Sequence, residues 1–132
     1  MKKTLLILIA ILTISLTSCN SDDPEPSKKE LLTDKKWKLS KTEIFENGDF
    51  VSTSVPDNDT YAKFNTDNTG KTTIDGESPS VWTWAFSDSE SKITITEDGE
   101  IFTINIDKLT SSKFTFSYTG ETSYKIIQYF KH

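Results

Sequence analysis

The chain has 132 residues, with fifteen Lys and no Arg against twenty acidic residues, a formal net charge of −5, one Cys and one His. An acidic chain without Arg is a poor candidate for nucleic-acid binding, because cationic contacts to phosphate supply much of that affinity. A single Cys cannot form an internal disulfide. The only His is the terminal His132, so a zinc site of His and Cys ligands is not expected.

Residues 1–18 have the pattern of a secretory signal peptide. Lys2 and Lys3 precede an apolar run from Leu5 to Leu16, and small residues follow it. A transmembrane anchor would need about 20 apolar residues to cross the hydrocarbon, and this run is too short. The sequence therefore predicts an exported protein.

The segment Leu16-Thr17-Ser18-Cys19 resembles the lipobox of bacterial lipoproteins, in which an aliphatic residue and two small residues precede the lipidated cysteine. The alternative is an ordinary signal peptide followed by a chance cysteine. Cleavage before Cys19 would leave 114 residues, with thirteen Lys against twenty acids. The resemblance implies two or three acyl chains on Cys19, which would hold the protein firmly in a membrane where one chain would not.

Residues 19–29 are predicted to be an acidic, flexible tether, because Asn20 to Lys29 contains two prolines and no apolar residue. Asp22-Asp23 resembles the acidic signal that sends some Gram-negative lipoproteins to the cell surface, and a solvated linker is the alternative. We therefore expect a lipid-anchored protein of the cell envelope, at the outer membrane.

A short helix is predicted from Lys28 to about Lys35, because Ser27 and Glu30 have the spacing of a capping box. Leu31 and Leu32 are expected to pack inward. A helix of this length is unstable alone and must dock on the rest of the domain.

Residues 30–132 are predicted to form one β-domain, because apolar and polar residues alternate with period two from Trp37 onward. Turn-forming residues separate eight predicted strands: 37–46, 59–66, 70–76, 81–87, 92–97, 100–109, 113–119 and 122–131. Short connections make neighbouring strands antiparallel. The one long gap, Asn47 to Asn58, is predicted to fold as a lid over an open end.

The predicted fold class is all-β, an eight-stranded up-and-down antiparallel barrel with a short N-terminal helix. Closure would pair the last strand, Tyr124 to Phe130, with the first, Trp37 to Phe45, and would remove both exposed edges. An open sheet is the alternative.

The order of several short motifs resembles the lipocalin-like domain family of small bacterial lipoproteins. The resemblance covers about residues 28–132 and rests on Leu31-Leu32, Trp37-Lys38-Leu39, the run from Phe64 to Gly70, Trp82-Thr83-Trp84, Ile93-Thr94-Ile95, the run from Ile106 to Thr110, and Tyr129-Phe130-Lys131. It implies an up-and-down barrel with an apolar interior. It does not imply a particular ligand.

A set of large apolar side chains is predicted to share the inner face and to form a ligand-binding cup. The candidates are Trp82, Trp84, Phe86, Phe102, Ile104, Phe114, Phe116 and Tyr118. The alternative is a solid barrel filled by these side chains, which would serve as a structural or protein-interaction module. An exposed apolar strip on Ile127 and Tyr129 would favour that alternative.

Metal binding and catalysis have little support in the sequence. Asp57-Asn58-Asp59 and Asp67-Asn68 offer oxygen ligands, but neither has a complete calcium-loop pattern, and turn formation explains both. Asp88 and Glu90 lie in a predicted hairpin turn, where solvation is the default for carboxylates. We expect no metal, no cofactor, no nucleic-acid partner and no enzymatic activity. The expected partners are a membrane and a small hydrophobic ligand.

Overall fold

The structure is a computed structural model that describes residues 23–120 and 123–132. Cys19 and the predicted signal peptide lie outside the described residues. Within the described ranges no helix is long and apolar enough to cross a membrane. The chain forms one helix and nine strands there: α1 Lys28–Thr33, β1 Lys36–Glu46, β2 Asp49–Ser54, β3 Thr60–Phe64, β4 Thr69–Ile74, β5 Ser80–Ser87, β6 Lys92–Glu97, β7 Glu100–Leu109, β8 Lys113–Thr119 and β9 Tyr124–Lys131.

Eight of the strands form a closed, antiparallel, up-and-down barrel in the order β1-β3-β4-β5-β6-β7-β8-β9, and β9 returns to β1. The closing ladder runs from Lys38 opposite Lys131 to Glu46 opposite Tyr124. The predicted fold class and the predicted pairing of the first and last strands are therefore confirmed. Closure satisfies the backbone groups that an open sheet would leave at its two edges.

The predicted lid between residues 47 and 58 is wrong, because half of this segment is a ninth strand. Asn47 and Gly48 have φ values of 52° and 90°, the left-handed pair that a two-residue hairpin turn requires. β2 then returns antiparallel along the outer half of β1, and all six of its residues are exposed. One edge of β1 thus pairs with β9, and the other edge pairs with β3 near the start of β1 and with β2 near its end.

The helix α1 closes one end of the barrel. Ser27 and Glu30 form the predicted capping box, and Leu32 is fully buried in the core. The indole Nε1 of Trp37 donates to the backbone oxygen of Leu32 at 2.9 Å. The helix ends at Thr33 rather than near residue 35, and Leu31 is only partly buried and outside the core cluster.

Lysine side chains attach this helical segment to three turns, all at the closed end of the barrel. Lys28 Nζ donates to the backbone oxygen of Glu90 at 2.8 Å, and Lys29 Nζ donates to Asn68 Oδ1 at 3.0 Å. Lys35 Nζ donates to the backbone oxygen of Ser111 at 2.7 Å. The opposite end, where β6 turns into β7, has no helix over it among the described residues. This end is the mouth of the barrel.

The register predicted for β5 is confirmed by burial. Trp82 and Trp84 are only 6% and 3% exposed, whereas Val81, the residue that precedes Trp82, is 70% exposed. Ile101, which departs from the pattern of β7, likewise lies on the outer face and is exposed. Alternating residues of a strand point to opposite faces, so both indoles lie inside the barrel.

Candidate ligand-binding cavity

A cavity of about 210 Å³ lies inside the barrel, between the core at the closed end and the mouth. Its wall is mostly aromatic and aliphatic, with a few hydroxyl and amide groups. The lining residues are Leu39, Thr60, Tyr61, Ala62, Phe64, Thr72, Trp82, Ile95, Phe102, Phe114, Phe116, Gln128 and Phe130. Core side chains fill the closed end of the barrel, and this cavity lies above them.

A second space of about 430 Å³ opens at the mouth next to this cavity. It is lined by Glu100, Ile101, Phe102, Ile104, Phe116, Tyr118, Ile126 and Gln128. Phe102, Phe116 and Gln128 line both spaces. The two spaces are thus neighbours, and a molecule that entered at the mouth would meet these three side chains before it reached the inner cavity.

Gln128 is the polar side chain common to both spaces. Its Nε2 donates to Thr42 Oγ1 at 3.4 Å, across the β1–β9 ladder. A side-chain amide has two donor hydrogens and a carbonyl oxygen that accepts, so this one long bond leaves hydrogen-bonding capacity free. The hydroxyl of Thr72 accepts from the indole Nε1 of Trp82 at 3.0 Å, and its own O–H group can still donate.

Six of the eight predicted ligand-binding residues line one or both spaces. Trp82 and Phe114 line the inner cavity, Phe102 and Phe116 line both, and Ile104 and Tyr118 line the mouth.

The other two, Trp84 and Phe86, line neither space. β5 runs from the mouth toward the closed end, so these two residues lie deeper than Trp82. There Trp84 packs edge-on against Phe64 and Phe86, with ring centroids 5.5 and 5.3 Å apart. Its Nε1 donates to the backbone oxygen of Thr69 at 3.0 Å. Trp84 and Phe86 thus pack in the core at the closed end.

The sequence analysis missed part of the lining, on strands β1, β3 and β9. Leu39, Ala62, Phe64, Gln128 and Phe130 all contribute to the wall. On β9 the outer face carries Ile127 and Tyr129 and the inner face carries Gln128, so hydrophobicity alone did not distinguish the two faces. The pairing of Phe130 with Phe114 and Leu39, both inside, would have done so.

The seam between β1 and β3 bounds the inner cavity and is held by few contacts. Only three residue pairs join the two strands, ending at Lys38 opposite Tyr61. On the outer surface Lys38 Nζ lies 2.6 Å from Asp59 Oδ1, and the Tyr61 hydroxyl donates to Asp59 Oδ2 at 3.1 Å. The hydrogen bond from Lys38 lowers the pKa of the Asp59 carboxyl, and the same bond raises the pKa of Lys38.

Two of the carboxylates that the sequence offered for metal binding or catalysis, Asp67 and Asp88, have structural roles. Asp67 Oδ1 accepts from the backbone N and the hydroxyl of Thr69 at 3.0 and 2.6 Å, and these bonds lower its pKa. Asp88 pairs with Lys92 at 3.0 Å, which lowers its pKa. Within residues 23–120 and 123–132, no cluster of three His, Cys, Asp or Glu side chains could hold a metal ion.

Comparison of the chain with protein-family models, with curated proteins and with solved structures found no significant match.

Proposed function

We propose that this protein is a lipid-anchored lipoprotein of the cell envelope whose lipocalin-like barrel binds a small apolar molecule. The observation that carries the proposal is the cavity of about 210 Å³ inside the barrel, with its aromatic wall. Ligand sites are typically concave and apolar, with a few polar groups that orient the ligand. The membrane anchor is supported by the lipobox-like segment that ends at Cys19.

The size of the cavity limits the ligand class. An apolar cavity of about 150 Å³ in another protein accommodates benzene. A space of about 210 Å³ therefore suits one aromatic ring with a short substituent, or a medium-length alkyl chain. The space at the mouth would admit a longer end, and Gln128 could hydrogen-bond one carbonyl or hydroxyl group of the ligand.

The test is a titration of the purified protein with octanoate, octanol and indole, followed by tryptophan emission and calorimetry. We expect saturable binding and a shift in emission, because Trp82 lines the cavity. Ala62→Phe should abolish binding by filling the cavity. Ala85→Phe is the matched control, because Ala85 lies exposed on the outer face of β5, and it should bind normally.

Absence of saturable binding to every probe, with both variants folded, would contradict the ligand-binding role and favour the second candidate function. That candidate is a filled barrel acting as a structural or interaction module. The aromatic filling of the closed half of the barrel supports it. The apolar strip predicted for it on the outer face does not, because Ile127 and Tyr129 are partly buried, and the Tyr129 hydroxyl donates to Glu43 Oε2 at 2.7 Å.

A further inference from the structure

The hairpin of β1 and β2 presents a free strand edge on the outside of the barrel. β2 pairs with β1 along one side, and no strand of the described ranges pairs with its other side. Phe50 and Val55 are 59% and 68% exposed. A free edge carries a row of unpaired backbone N–H and C=O groups that can hydrogen-bond an added strand.

Most natural edge strands are protected by charged residues, by Pro or by bulges. β2 has two such devices, the charged Asp49 at its first position and a bulge at Val51 where its register with β1 shifts, and Pro56 lies two residues beyond its end. The run 50–55, Phe-Val-Ser-Thr-Ser-Val, contains no charged residue and no Pro. On the outer face the ring of Phe50 packs edge-on against Phe45, with ring centroids 5.7 Å apart. A strand added beside β2 would therefore have the apolar Phe50 as a cross-strand neighbour.

The charge around this edge restricts the kind of partner. Residues 42–62 contain five acidic residues and no Lys or Arg. Two of the acids are neutralised by lysines outside the segment, since Glu43 lies 2.5 Å from Lys41 Nζ and Asp59 lies 2.6 Å from Lys38 Nζ. Glu46, Asp49 and Asp57 form no ion pair within the described ranges.

From these observations we propose that the free edge of β2 binds an extended, lysine- or arginine-bearing segment of a partner protein, which adds to the sheet as a further strand. The unpaired backbone supplies the hydrogen bonds, Phe50 supplies an apolar contact, and the unpaired carboxylates select for positive charge. A second copy of this chain fits less well, because its own hairpin carries the same negative charge. The proposal rests on β2 alone and is independent of the cavity.

The experiment uses the full chain in a neutral detergent and a defined probe, the capped peptide KVTVKVTK. Amide hydrogen exchange and chemical shifts would be followed by NMR during the titration. We expect slowed exchange at residues 49–54. We also expect binding at least tenfold tighter than that of EVTVEVTE, and no binding of a peptide with Pro in place of the central Val and Lys.

Charge variants of the protein provide the second measurement. Asp49→Lys with Asp57→Lys should weaken binding of KVTVKVTK at least tenfold. Glu90→Lys with Asp98→Lys makes the same change in net charge on exposed turn residues at the two ends of β6, four strands from β1 in either direction around the barrel, and should leave binding within twofold. Both results would support selection of a cationic strand by this edge.

Three outcomes would overturn the proposal. The first is no protection of residues 49–54 at millimolar peptide while the barrel stays folded. The second is equal binding of the two peptides, or equal loss in both double variants. The third is concentration-dependent dimerisation through β2 in analytical ultracentrifugation, which would assign the edge to a second copy. Loss of apolar-ligand binding by Ala62→Phe would affect none of these measurements.

Discussion

Gly70 and Trp82 show how one residue without a side chain determines the placement of a large one. The two residues are directly opposite across β4 and β5. A Cβ atom built on Gly70 would lie 1.9 Å from the indole ring of Trp82, far inside van der Waals contact. The Trp82 ring therefore occupies the space that a side chain at position 70 would fill, and it also forms part of the cavity wall.

Gly70→Ala is expected to destabilise the barrel, because the added methyl must displace the Trp82 ring or the backbone. Overpacking of this kind typically costs about 1–3 kcal/mol. Urea denaturation would measure the loss as a lower midpoint at an unchanged slope. The control is the same substitution in a Trp82→Phe background, where the smaller ring leaves room. An equal cost in both backgrounds would contradict this account.

At the scale of residues, alternation in the sequence was a reliable guide where one face of a strand was plainly more apolar. Trp82, Trp84 and Phe114 were all placed correctly on the inner face. The guide failed for Gln128, because a polar side chain facing a cavity breaks the rule that apolar residues point inward. It also could not distinguish depth along a strand, which is why Trp84 was assigned to the ligand site.

At the scale of elements, the seam of β1 and β3 is the place where the barrel wall is held by the fewest backbone pairs. Three pairs join these strands, whereas the ladder of β1 and β9 extends over most of β1. The pair formed by Lys38 and Asp59 therefore adds side-chain contacts where the backbone ladder is short.

The contribution of this seam should depend on pH. The bond from Lys38 lowers the pKa of Asp59 in the folded state, so folding favours the ionised carboxylate. The stabilisation is present above the unfolded pKa of about 3.9, and it is lost as the pH falls through the lower folded pKa. The unfolding free energy of the wild type minus that of Asp59→Asn should therefore shrink between about pH 5 and pH 2.

Lys38→Met is the matched variant, because it removes the partner and keeps the carboxylate. The unfolding free energy of the wild type minus that of Lys38→Met should show the same decline with falling pH. The unfolding free energy of the double variant should differ little from that of either single variant. Denaturant titrations across this pH range would provide the comparison. A pH-independent difference for Asp59→Asn would show that the pair does not stabilise the seam.

Most elements could be predicted because turn residues separate strongly alternating strands. β6, β7 and β8 have the predicted bounds, 92–97, 100–109 and 113–119. β2 was missed although Asn47-Gly48 is a strong hairpin signal, because Ser52, Thr53 and Ser54 give it little apolar alternation. The strand is exposed on both faces, so no burial pattern marks it.

At the scale of the whole molecule, the closed end of the barrel is the end that faces the N-terminal segment. Pro24 to Ser27 lead directly into α1, beside Thr66 and Ser111 of the closed-end turns. If Cys19 carries the proposed lipid, the tether joins the barrel at its closed end. Ten extended residues span at most about 35 Å, so that end could stand off the membrane by up to this distance.

This arrangement depends on lipid at Cys19, and Cys19→Ala tests it. The variant should lack acyl chains and should leave the membrane fraction, because no other anchor is proposed and the acidic domain is repelled by anionic lipid. The wild type should remain with membranes and should show the added acyl mass by mass spectrometry. Ser18→Ala keeps a small residue before the cysteine and is the matched control, which should stay membrane-bound.

Continued membrane association of Cys19→Ala, together with an unmodified wild-type mass, would contradict lipid anchoring. It would leave the barrel and its cavity unaffected, because α1 closes the barrel through contacts of Leu32 and Trp37 that do not involve the anchor.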